Sequence, residues 1–186
     1  MIGRELKRIL QKPTAFVCIV VYMGIMILGV ESDLRARYEI GFLNLFWVTE
    51  NFGVTIFIQT LIFPVAAAGN YFDERKGHYD WLIQMRSGQL RYCIAKIVSA
   101  VLGGIILYMI SVILFFAVCV IFIPEVRHGS TVESITNLFQ SKECFWYRMA
   151  LSIGYYPTVI VLAFQYSLHI GIYVLLGLCV SVFCTN

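Results

Sequence analysis

IVSAVLGGIILYMISVILFFAVCVIFI, residues 97–123, contains no charged side chain. A helix rises about 1.5 Å per residue and the hydrocarbon core of a bilayer is about 30 Å thick, so about 20 such residues suffice to cross it. This run exceeds that length and must tilt or protrude. The rest of the chain agrees with a lipid setting. Of its 186 residues, 60% are hydrophobic and 13% are charged, against about 25% charged in ordinary soluble domains. A soluble fold of this size lacks the interior to cover so much apolar surface. The fold class read from the sequence is therefore all-α, a polytopic membrane helix bundle.

Three further uncharged runs flank the first: residues 14–30, 52–72 and 157–186. With 97–123 they define four expected spans, the last placed at 157–185. The last run could hold two short spans broken near Ser167, Leu168 and His169, but Pro157 suits the first turn of a helix and no turn cluster follows, so one long helix is the favoured reading. The first run reads as a retained helix. Glu31, Ser32 and Asp33 follow it where a leader peptide would carry small residues for cleavage. Residues 31–51 and 124–156 are then external loops, and 73–96 is an internal connection.

Lys and Arg counts orient the chain. Residues 1–13 carry four (Arg4, Lys7, Arg8, Lys12), 31–51 carry two, 73–96 carry five and 124–156 carry three. The alternation predicts a multi-pass protein of the cell membrane with a cytoplasmic N-terminus. Residues 1–13 add a pattern of their own. Ile2, Leu6, Ile9 and Leu10 share one helical face, and the basic residues lie largely off it, before Pro13 breaks the path. This predicts an interfacial amphipathic helix on membrane lipid.

Catalytic and cofactor motifs are missing. The sequence has no phosphate-binding G-x-x-x-x-G-K-[ST] loop, no H-E-x-x-H and no G-x-S-x-G. Its six cysteines include no C-x-x-C pair, and they read as small apolar packing residues. No metal, no cofactor and no enzymatic activity are expected, and the net charge of +3 is too small to point to nucleic acid. The expected spans also lack Asp, Glu, Lys and Arg, which disfavours a proton relay. Gln59, Gln165 and His169 sit at membrane depth. They read either as interhelical hydrogen-bonding groups or as the lining of a translocation path. Pro64 is expected to kink the second span. The small residues Ala66, Ala67, Ala68, Gly69, Gly103 and Gly104 are expected to let helices approach closely.

The connection DERKGHYDWLIQMRSGQLRYCIAK, residues 73–96, orders Glu74, Gly77, Leu82, Arg86 and Lys96 between two spans. That order resembles the segment between the second and third spans of type-2 ABC transporter permeases, the exporter-type membrane subunits. His78 stands where that family usually has threonine, and Arg86, Ser87 and Gly88 replace its common proline bend. The amphipathic basic N-terminus and the glycine-rich final run are also similar to that family. The resemblance implies that 73–92 forms a coupling helix docking a separate cytoplasmic ATP-binding subunit through Glu74, Arg75, Gly77, His78, Trp81, Leu82 and Arg86. Aromatic and apolar anchors ringed by charge suit such docking. It further implies a second permease copy or homologue as partner. The family usually has six spans, so four imply a shortened or truncated copy lacking the last two. A non-transporting assembly, immunity or sensor subunit is the alternative reading.

Overall fold

A computed structural model describes residues 2–35, 42–51, 53–76, 88–122 and 145–184. Seven helices account for nearly all of them: α1 (Ile2–Gln11), α2 (Pro13–Arg35), α3 (Phe42–Asn51), α4 (Gly53–Lys76), α5 (Gln89–Phe122), α6 (Phe145–Ile153) and α7 (Tyr155–Cys184). There is no strand among the described residues. Helices α5 and α7 are each long and apolar enough to cross a membrane, and the bent pairs α1–α2 and α3–α4 bring the number of spans to as many as four. The chain is an all-α membrane helix bundle, as its uncharged runs predict. A helix satisfies every backbone hydrogen bond within itself, which is what hydrocarbon demands.

Several boundaries differ from the sequence expectation. Helix α5 begins at Gln89 and α4 continues to Lys76, so the connection between them gives up both of its ends to helix. Short helices α3 and α6 occupy parts of the stretches expected as external loops. Helix α4 is continuous through Pro64, and the α3–α4 break bends by 76°. Helix α7 is continuous through Ser167 and His169.

The helix breaks have local causes. Between α1 and α2 the axis turns by 60°. Pro13 has no N–H to continue α1, and its fixed φ suits the first position of α2. The Ala15 N–H donates to the Lys12 carbonyl at 3.0 Å, tightening the corner. Gly154 separates α6 from α7 at φ 103°, a left-handed conformation open to glycine and strained for other residues. Its carbonyl accepts both the Thr158 N–H at 3.4 Å and the Thr158 hydroxyl at 2.8 Å, which ties down the first turn of the new helix.

The chain divides into two compact units. The first comprises Met1–Val21, Ile58–Ile110 and Ser167–Asn186. Its helices meet at small residues. A Cβ on Gly104 would lie 2.7 Å from Val174, and one on Gly177 would lie 2.6 Å from the Pro64 ring. Neither separation is tolerable, so the approach depends on glycine. Gly103 faces Ile9 of α1 in the same way, at 3.1 Å. Ala66, Ala67 and Ala68 are buried, and Phe63 meets Tyr108 edge to face at 5.8 Å.

The second unit comprises Tyr22–Phe57 and Ser111–Tyr166. Its centre is aromatic and polar. Tyr22, Phe46 and Glu50 are fully buried. The Tyr22 hydroxyl donates to Glu50 Oε1 at 2.7 Å. Phe46 packs edge to face on Tyr166 at 6.0 Å, and Asn51 donates to the Tyr166 hydroxyl at 3.3 Å.

Candidate functional site

The first unit encloses a cluster of ionised side chains drawn from three helices. Glu5 comes from α1, Glu74 from the last turn of α4, and Tyr92 and Lys96 from the opening turns of α5. Arg8 of α1 completes it from the outer side. Glu5, Glu74 and Lys96 are each more than nine-tenths buried, while half of the Arg8 side chain is exposed.

The contacts leave both carboxylates multiply bonded. Glu74 Oε1 accepts from Arg8 Nη1 at 2.6 Å. Its Oε2 takes the Lys96 ammonium at 2.7 Å and the Tyr92 hydroxyl at 3.1 Å. Glu5 Oε2 accepts a hydrogen bond from the Lys96 ammonium, and Glu5 Oε1 lies 3.4 Å from Arg8 Nη1. The Lys96 ammonium also sits 5.7 Å from the centre of the Tyr92 ring, close enough for a cation–π contribution. Among the described residues two carboxylates face two cations, so the cluster they form is electrically neutral. Neutrality is what makes its burial tolerable, because an unmatched buried charge costs several kcal/mol. Burial pulls the Arg8 pKa down, but attraction to Glu5 and Glu74 outweighs it, and the guanidinium is held above its ordinary value.

Local sequence explains the placement. Glu5 lies three residues after Ile2 and four before Ile9, on the side of α1 turned toward the protein. Ile9 is buried there against Gly103, whereas Ile2 and Leu10 are exposed. The face of α1 that enters the protein is thus the Glu5–Ile9 side, and only part of the apolar face packs internally. Gly88, at φ 80°, starts α5, and its carbonyl accepts the Tyr92 N–H at 3.1 Å. One turn further on, Lys96 then reaches both acids.

The residues expected to dock an ATPase have separate fates. Glu74 is turned inward as the most heavily bonded acid of the cluster. Arg75 lies in the last turn of α4. Gly77, His78, Trp81, Leu82 and Arg86 lie outside the described residues. Of the residues expected to line a path, Gln59 is buried, whereas Gln165 and His169 are exposed, one turn apart on α7. The sequence reading missed Glu5, Arg8, Tyr92 and Lys96 as site residues. It also left Glu50 in a loop, where α3 in fact carries it into a buried hydrogen bond with Tyr22. The signal for Glu5 was present: an acid on the apolar side of an amphipathic helix needs a buried cation.

Fold and cluster together define a multi-span helical membrane protein with a neutral ion-pair node where α1, α4 and α5 meet. No protein-family model, no curated protein and no solved structure matches the chain.

Proposed function

We propose that this chain is the membrane-spanning subunit of an ATP-driven ABC exporter, in the cell membrane with its N-terminus in the cytoplasm. The ATP-binding subunit is a separate protein, and a second permease copy or homologue completes the path. The observation that carries the reading is the node. Residues 77–87 join α4 to α5, and the node clamps the two ends of that connection to each other through Glu74, Tyr92 and Lys96. It also ties both to α1 through Glu5 and Arg8. A force applied to the connection by a docked ATPase is therefore delivered to two spans and to the interfacial helix at once. Packed, fully bonded elements move as bodies rather than deform. The chain has no nucleotide-binding motif of its own, so the energy for transport comes from the partner.

One observation favours the non-transporting alternative, an assembly, immunity or sensor subunit. Gln59 is buried in its unit, as a helix-to-helix hydrogen-bonding group is, rather than open to a passage. The deciding experiment is affinity purification of the tagged chain from its native membrane. The exporter reading expects an ATP-binding subunit in the eluate, lost when Trp81→Ala is combined with Leu82→Asp. Retention of that subunit by the double variant refutes docking at this segment. An eluate with no ATP-binding protein from wild type favours the alternative.

A further inference from the structure

We propose that the first unit holds a specific site for one anionic phospholipid, with its phosphate at Lys12 and an acyl chain laid between α4 and α7. The inference does not depend on transport. It starts from a cleft of about 790 Å³, within the range of about 300–1,000 Å³ typical of small-ligand sites. Leu61 and Val65 of α4 form one apolar wall, and Leu176 and Val180 of α7 form the other. Each of these four side chains is more than half exposed.

The sequence creates the concavity. Gly177 meets the Pro64 ring so closely that a Cβ would lie 2.6 Å away, which draws α4 and α7 together. One turn beyond Pro64, Ala68 and Gly69 have almost no side chain, and a Cβ on Gly69 would meet nothing within 4 Å. The helices touch at one level and leave a gap at the next. Lys12, at the corner between α1 and α2, lines the same cleft.

The charge at the cleft and its apolar walls select an amphiphile with an anionic head. A lysine ammonium pairs with phosphate as a charge-assisted donor. The cleft has its walls along α4 and α7. An acyl chain is slender enough to lie along it.

Native mass spectrometry of the purified, delipidated full chain tests the site, with phosphatidylglycerol and phosphatidylcholine of matched acyl chains as probes. Wild type is expected to bind phosphatidylglycerol about fivefold more tightly, the factor one lysine contributes near an anionic headgroup. Lys12→Gln is expected to bring the two lipids to parity. Gly69→Leu, which grows into the open cleft, is expected to weaken both at least fivefold. Leu176→Trp plugs the cleft from the other wall and gives the same result should Gly69→Leu fold poorly. Equal affinities in wild type, a preference that survives Lys12→Gln, or undiminished binding in a folded plugged variant overturns the proposal. So does a plugged variant that loses dimer and keeps its lipid.

Discussion

Replacing Lys96 by methionine removes the one fully buried cation of the node and keeps most of its volume. The ammonium contacts Glu74 at 2.7 Å and also bonds Glu5. At a centre-to-centre separation of about 4 Å and an effective dielectric constant near 20, each attraction is about 4 kcal/mol before desolvation is subtracted. Removing Lys96 does not return either acid to water. Two carboxylates remain inside, both more than nine-tenths buried, and they share an Arg8 side chain that is 52% exposed. Breaking a buried pair by deleting one partner costs about 3–5 kcal/mol. For a chain of this size that is a fall of about 6–20 °C in the unfolding midpoint. The assay is thermal unfolding of the detergent-purified protein, followed by fluorescence-detected gel filtration. A double-mutant cycle isolates the electrostatic cause. Glu5→Gln added to Lys96→Met restores one acid against one cation, so the pair is expected to be at least ~1 kcal/mol less destabilised than the sum of the single variants. A Lys96→Met midpoint within about 2 °C of wild type, or strict additivity in the cycle, would refute the reasoning.

Gly177→Ala is expected to lower the midpoint by about 2–12 °C, since its Cβ would sit 2.6 Å from the rigid Pro64 ring and such overpacking costs about 1–3 kcal/mol. Gly24→Ala, whose Cβ would meet nothing within 4 Å, is expected to leave the midpoint unchanged or slightly raised in the same assay. Tyr22→Phe deletes the 2.7 Å hydrogen bond to the buried Glu50, for an expected loss of about 1–3 kcal/mol, again read as a lower midpoint. Cys93 is exposed on α5. With the proposed orientation, a membrane-impermeant maleimide is expected to label it in inside-out vesicles and to spare it in intact cells. Labelling in intact cells would reverse the topology.

The class of fold was legible because it rests on a property that needs no partner. An uncharged run of residues 97–123 has nowhere to go but lipid, whatever lies beside it. The continuity of α7 was legible for the same reason, since nothing near Ser167 or His169 supplies a turn. The node was not legible, because its members are far apart in sequence. Arg8 and Glu74 are 66 positions apart, and Glu5 and Lys96 are 91 apart. Periodicity assigns a residue to a face and is silent on what that face meets. Arg8 therefore read as part of a basic surface, and Glu74 as an exposed docking contact. In the fold Glu74 is buried, and Arg8, still half exposed, turns its guanidinium to both acids. The break at Asn51 was hidden too. Pro64 was the obvious place to look for an interruption of the second span, yet the helix is continuous there.

A buried ion cluster is weak evidence for stability, since well-packed apolar groups of the same volume often do as well or better. Its consequence is positional. An apolar contact between α1, α4 and α5 would tolerate a slide of an ångström or two, because dispersion is non-directional. The node does not tolerate it. Glu74 is bonded by donors from two helices, Arg8 of α1 and Tyr92 and Lys96 of α5, and Lys96 is shared with Glu5. A shift of any one helix strands a charge that has no water to turn to. The three helices consequently keep one register with respect to each other until the whole set of bonds opens. That is the property a connection at 77–87 needs if anything docked on it is to move two spans and α1 together. The same arrangement leaves Arg8 as the member most open to the surroundings. Any partner or lipid headgroup that competes for that guanidinium acts directly on the balance of the buried charges.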